Sequence, residues 1–241
     1  MSETNNLRLK QILLIIFCSF SLAKAQAQDW VADMRKMNKV YEDAGSFSMN
    51  VTVAIFNDEK SKSSLTSYTG KMAMSGCCYY SEMMNRITIV NKETRLLIDK
   101  SQQMILFRKN TAAAAKRAAA QLPMPGNLDS LMRATSKGSY LVNTSVEKRI
   151  LVTNSNTQYG RMEIVIDPNT YTLKQIVLYN TTGIKDDPQK IIISYTAIQI
   201  NGVNENVFSE KKYVSIGKTK VSATEAFKKY KLINEDNTIT N

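Results

Sequence analysis

The sequence predicts an α+β fold that is mostly antiparallel β-sheet, and three observations predict it. From Phe47 onward apolar residues recur every second position. The alternating stretches that follow are separated by turns too short to hold helical crossovers, which excludes a parallel sheet. Helical spacing is confined to an opening segment, an alanine-rich middle and the end of the chain. With 241 residues, 43% of them hydrophobic and 22% charged, the chain is an ordinary globular protein able to bury one core. No internal repeat or linker divides it, so residues 26–241 are expected to form a single domain.

The chain opens on Arg8 and Lys10, an apolar run over residues 12–22, and then Ala23-Lys24-Ala25, an A-x-A cleavage pattern. Residues 1–25 therefore read as a secretory signal peptide, and the remainder as an exported protein of the periplasm or cell envelope. Its run is too short to span a bilayer, which needs about 20 apolar residues. Trp30, Val31, Met34, Met37, Val40 and Tyr41 then recur at helical spacing, with Asp29 placed to cap the start and Gly45 placed to end it. The result is an amphipathic helix over 29–44.

Phe47, Met49, Val51, Val53 and Ile55 alternate with polar or small residues, giving a long strand with one buried face. Across the polar turn 57–64, Tyr68, Gly70, Met72 and Met74 share a face of the second strand. Short strands are expected at 77–84, 86–90, 95–99 and 103–108 as an antiparallel meander. A helical insertion follows over 111–136, made of an alanine-rich helix at 111–121 and a second short helix at 127–135. Strands resume at 145–153, 161–166, 173–179, 190–200 and 213–216. Ser222-Ala223-Thr224-Glu225 reads as a capping box opening a C-terminal helix over 222–233. The total is about ten to eleven strands.

Several chemistries are disfavoured by composition. The chain has no histidine, which removes the commonest general base and the usual partner of a serine or cysteine nucleophile. Cys77 and Cys78 are adjacent, and adjacent strand residues point to opposite faces, so they cannot converge on one metal. They read as wall material. The acidic residues Asp58, Glu59, Asp129, Asp167, Asp186 and Asp187 fall in turns or helix starts, which accounts for them. No catalytic residue, cofactor or metal is expected, and the protein is expected not to be an enzyme.

Removing residues 1–25 takes away three basic and one acidic residue, leaving 29 against 20 and a net charge of +9. Scattered basic residues on an exported chain read first as a solvated basic surface, one able to steer toward an anionic membrane surface or an envelope protein, and make nucleic acid an unexpected partner. The methionines on the first helix and in the strands are unbranched and deformable, as adaptable apolar surfaces require. Leu96-Leu97-Ile98, Met104-Ile105-Leu106-Phe107 and Ile191-Ile192-Ile193 are apolar on both strand faces, so both sides of that sheet must be shielded from water.

The order of elements, with "SFSMNVTVAIF", "YTGKMAMS", "ITIVNKETRLLIDKSQQMILF", "MEIVIDPNTYTLKQIVLYNTTG" and "KIIISYTAIQINGVNENVFSE", resembles the exported lipoprotein-carrier family of LolA-like and LolB-like proteins. The chain departs from the carriers in having Ser75-Gly76-Cys77-Cys78 where they show a basic residue and a proline. The resemblance implies an incomplete, half-open β-barrel with the N-terminal helix and the helical insertion packed as a lid. It implies a cavity for a lipid, a lipoprotein acyl chain or another apolar ligand, in a monomer with a role in lipoprotein sorting toward the outer membrane. Met72, Met74, Tyr80, Ile87, Ile89, Leu96, Ile98, Met104, Leu106, Val177 and Tyr179 are the expected strand lining, with Met34 and Met37 on the lid. The competing expectation is an interaction or scaffold subunit of an envelope assembly, its interior filled by side chains.

Overall fold

A computed structural model describes residues 29–121, 137–153, 159–181, 188–218 and 220–237. The expected signal peptide and the expected short helix at 127–135 lie outside these residues.

Helix α1 (Trp30–Glu42) starts where Asp29 Oδ1 accepts the Ala32 N–H at 3.1 Å. It ends before the expected Gly45, with the Asp43 N–H donating to the Lys39 carbonyl. Gly45 instead donates its N–H to Asn201 Oδ1 at 2.9 Å, joining the loop after α1 to the end of the last long strand.

The strands are β1 (Ser46–Phe56), β2 (Thr66–Ser75), β3 (Cys78–Met83), β4 (Arg86–Val90), β5 (Thr94–Asp99) and β6 (Met104–Lys109). Helix α2 (Ala112–Gln121) follows. Then come β7 (Lys137–Asn143), β8 (Lys148–Thr153), β9 (Arg161–Ile166), β10 (Leu173–Tyr179), β11 (Lys190–Ile200), β12 (Val214–Ile216), β13 (Val221–Ala223) and β14 (Lys231–Asn234).

Twelve strands form one open sheet in the order β14-β6-β5-β4-β3-β2-β1-β11-β10-β9-β8-β7, and β12 pairs with β13 in a separate ribbon. Two meanders are thus sewn together along β1 and β11, whose register runs from Phe47↔Ile200 to Phe56↔Lys190 with one irregularity after Ser48. Every pair in the large sheet is antiparallel except β14 with β6. The expected antiparallel architecture is present, as an open sheet not closed into a barrel.

Two expectations are corrected. The strand expected at 145–153 is the second arm of a hairpin: β7 precedes it, and Thr144 turns the chain by accepting at its Oγ1 the N–H of Glu147. The helix expected at 222–233 does not form. Val221, Ser222 and Ala223 pair with β12, the Thr224 hydroxyl donates to the Lys212 carbonyl at 2.9 Å instead of capping, and Lys231–Asn234 lies along β6. Phe227 and Tyr230, three positions apart as on a helix, pack in the series Tyr213–Phe227–Tyr230 at centroid distances of 5.0 Å, the first pair tilted and the second edge to face. The bare edge of β6 offers a full row of backbone bonds, and these outweigh a local capping signal.

Because side chains alternate, the sheet carries two apolar cores on opposite faces. One lies under α1 and includes Met34, Met37, Phe47, Met49, Val51, Ile150, Ile164 and Ile176. The other lies under the C-terminal segment and includes Ile87, Ile89, Leu96, Ile98, Ile105, Phe107, Tyr213 and Val214.

Candidate apolar site under helix α1

Met34, Met37 and Tyr41 follow the helical period and face the sheet, with exposures of 0%, 0% and 4%. Beneath them stand Met49 and Val51 of β1, Met162 and Ile164 of β9, and Ile150 of β8. Tyr41 meets Phe47 edge to face at 5.2 Å, and its hydroxyl accepts the buried Leu173 N–H at 3.0 Å. Burial pushes the Tyr41 phenol up to about 12. Ala115 of α2 is fully buried in the same cluster, so both helices rest on one face. At the margin of that cover Val53, Met72, Met74, Met83, Leu178 and Ile193 pack against the cluster but stay only half-buried.

A polar clasp fastens α1 to the sheet. Asp33 Oδ2 accepts the Tyr140 hydroxyl of β7 and the Lys148 ammonium of β8, each at 2.6 Å. Lys148 also donates to the Tyr171 hydroxyl at 3.3 Å, as does Lys36 of α1. Both ammonium groups lie about 5 Å from the Tyr171 ring centroid. Side-chain exposure is 8% for Asp33 and 15% for Lys148, so the pair is largely withdrawn from water. Burial pushes the Asp33 carboxyl up, but the bonds from Lys148 and Tyr140 outweigh it and hold the carboxyl below its usual range. Burial pulls Lys148 down, and its bonds to Asp33 and Tyr171 reverse that, leaving it raised. Desolvation, and next the bond to Asp33, raises Tyr140. At the first turn of α1, Trp30 lies over Gly138 of β7: a Cβ there would come within 2.3 Å of the indole Cε2.

The residues expected to line one cavity divide between the two faces. Met34, Met37, Met72 and Met74 come together under the helices. Leu106 and Met104 share that face by register, since Met72, Ser81, Thr88, Leu97 and Leu106 form one row and Met104 stands opposite Asp99. Tyr80, Ile87, Ile89, Leu96 and Ile98 belong to the opposite core. Val177 and Tyr179 pair with Glu163 and Arg161, while their neighbours Ile176 and Leu178 face α1. This corrects the single-cavity grouping. Where a strand is apolar on both faces, alternation sends neighbours apart and the sequence does not mark which set the helix covers.

The aliphatic floor from β8, β9 and β11 and the clasp were absent from the expected site. The signal for the clasp is Asp33, a carboxylate beside the apolar stripe of α1; its partner Tyr140 lies on the unexpected β7, and Lys148 on an expected strand whose place beside α1 only the fold sets. Cys77 packs against the helix-side core, whereas Cys78 pairs in register with Ser75, near Glu205 and Lys92. Both are free, and burial, then the neighbouring Cys77, raises the Cys78 thiol. Among the described residues no three His, Cys, Asp or Glu side chains cluster as a metal site, and no helix is long and apolar enough to cross a membrane.

No known protein-family pattern matches the chain, and no curated protein matches it. Among solved structures the chain is similar to an uncharacterized conserved protein from Thermus thermophilus, at 7% identity and a TM-score of 0.48 over 86% of this chain and 99% of that one. It is similar to the lipoprotein LppX of Mycobacterium tuberculosis, at 8% identity and a TM-score of 0.40 over 72% of this chain and 96% of that one. It is also similar to a LolA superfamily protein from Nitrosomonas europaea, at 9% identity and a TM-score of 0.33 over 75% of this chain and 97% of that one.

Proposed function

We propose that this protein is a non-catalytic binder or carrier of an apolar ligand, a lipid or lipoprotein acyl chain by class, acting in the cell envelope after export. In this reading the sheet is a half-open barrel, α1 and α2 are its lid, and the ligand enters between α1 and the half-buried row of β1, β2 and β3. The observation that carries the reading is the segregation of methionine. Met34, Met37, Met49, Met72, Met74, Met83 and Met162 all lie in or against the helix-side core, and the opposite core contains none among the described residues. Flexible thioether side chains can repack around an irregular guest at small strain. Burying a methylene is worth about 0.8 kcal/mol, so a chain of about a dozen carbons gains a gross ~10 kcal/mol before ordering costs, with no catalytic group.

The full burial of Met34 and Met37 favours a second reading, an interaction or scaffold subunit whose interior its own side chains fill. Mass spectrometry of lipid extracted from the purified protein, followed by titration with a fluorescent fatty acid, separates the two. Co-purified lipid, or saturable uptake with one chain per protein, supports the carrier; protein that is lipid-free and indifferent to the fatty acid supports the scaffold.

A further inference from the structure

The face of the sheet opposite α1 carries a trough with a different chemistry. Register places Thr196, Asn50, Lys71 and Glu82 in one row across β11, β1, β2 and β3. Two depressions meet on that row and share Lys71 and Glu82. One, of about 560 Å³, is walled by the C-terminal segment through Ser209, Lys212 and Tyr213 and floored by Tyr80. The other, of about 750 Å³, runs toward Lys100 and the threonines of β1 and β2. Both fall in the size range of small-ligand sites.

Charge in the trough is unbalanced. Glu82 is the one carboxylate among the lining residues, against Lys71, Lys100 and Lys212. Its Oε1 accepts the Lys100 ammonium at 2.6 Å and its Oε2 accepts the Tyr80 hydroxyl at 2.8 Å. Glu82 is thus already engaged. The Lys212 ammonium lies 5.5 Å from the Tyr213 ring centroid, and Lys71 stands beside Glu82 in register, where its charge helps to lower the Glu82 carboxyl. Three cations against one committed anion, in a recess with aromatic rings and hydroxyls, fit an anionic, hydroxylated guest. Ammonium groups bind phosphate as point charges, and a phosphate monoester, with up to about two negative charges, answers several of them where a single carboxylate answers one.

We propose that this trough is a phosphate-ester site, in which Lys71, Lys100 and Lys212 hold the phosphate while Tyr80 and the surrounding hydroxyl groups hold the adjoining moiety. The guest is a free phosphate ester or a phospholipid headgroup. The site lies on the face away from the helix-side core and stands independently of the ligand assigned there.

Isothermal titration with glycerol 3-phosphate, and co-sedimentation with phosphatidylglycerol or phosphatidylcholine vesicles, test it on the full chain and on Lys71→Gln/Lys212→Gln. Saturable binding of the free ester, weakened about tenfold or more by the double substitution and at raised salt, is expected. Retention on phosphatidylglycerol vesicles alone, lost in the same variant, assigns the site to a lipid headgroup. No saturable binding in either arm, equal binding of acetate, or affinity unchanged by the substitutions overturns the proposal. Circular dichroism and fatty-acid uptake serve as controls, since both lysines lie on the face away from the helix-side core.

Discussion

The two cores of the sheet are built from different materials for different mechanical ends. The core under the C-terminal segment includes Ile87, Ile89, Leu96, Ile98, Ile105, Phe107, Tyr213 and Val214, mostly branched side chains with few rotamers, covered by the segment that carries β12 and β13 and is anchored by β14 along β6. The core under α1 mixes isoleucines of β8 to β11 with seven methionines, and its cover is a helix held by side chains. A strand joined by backbone bonds cannot leave without exposing a row of polar groups; a helix satisfies its own backbone and can be lifted by breaking its clasp. One face is a foundation; the cover of the other is held by side chains.

The largest expected effect tests the foundation. Phe107→Ala, at a residue 1% exposed, removes a ring from the C-terminal core and is expected to lower stability by about 3–5 kcal/mol in chemical denaturation. A loss below about 1 kcal/mol would show that this core is no stiffer than its counterpart.

Next in size is the clasp. Asp33→Ala strands the Lys148 ammonium in a largely buried position, with an expected loss of about 2–3 kcal/mol and faster amide exchange confined to α1, β7 and β8. The pH dependence has a fixed sign. Because the Asp33 pKa is lowered on folding, its contribution is present above about pH 4 and lost as pH falls through the folded value. Because the Lys148 pKa is raised, its contribution is present below about pH 10 and lost as pH rises through the folded value. Urea midpoints across acid pH should therefore fall less in Asp33→Ala than in the wild type; parallel curves would remove the clasp from the account.

Gly138→Ala probes the other end of α1, where a Cβ meets the Trp30 indole, and is expected to lose about 1–3 kcal/mol with a red shift of the single tryptophan's emission. The smallest change sharpens the comparison most. Met37→Leu should alter stability by less than about 1.5 kcal/mol yet reduce fatty-acid uptake, since a stiffer side chain fills the space without adapting. Unchanged uptake would separate ligand binding from methionine.

Much of the fold was legible because the signals are local. Asp29 announces α1, and period two marks β1, β2 and most later strands within a residue or two. The C-terminal helix was misread because Ser222-Ala223-Thr224-Glu225 satisfies a local rule, whereas the edge of β6, more than a hundred residues earlier in the chain, decides the outcome. The hairpin arm β7 was hidden because Gly138 and Ser139 break its alternation, the glycine being required by Trp30. Six of the thirteen expected residues share the helix face, Met34, Met37, Met72, Met74, Met104 and Leu106; methionine on α1 and β2 carries its own signal, while Leu96 and Ile98 differ from Leu97 only by parity.

Sequence alone determined the alternation of the strands, the amphipathic helix that begins at Asp29, the antiparallel connections and the lack of histidine chemistry, because each depends on neighbours within a few positions. Tertiary structure decided which parity of each strand faces α1, where Asp33 finds Tyr140 and Lys148, and what becomes of the segment after β13. Those outcomes depend on which distant strand edge or buried charge is left in need of a partner, a quantity that exists only once the sheet has formed.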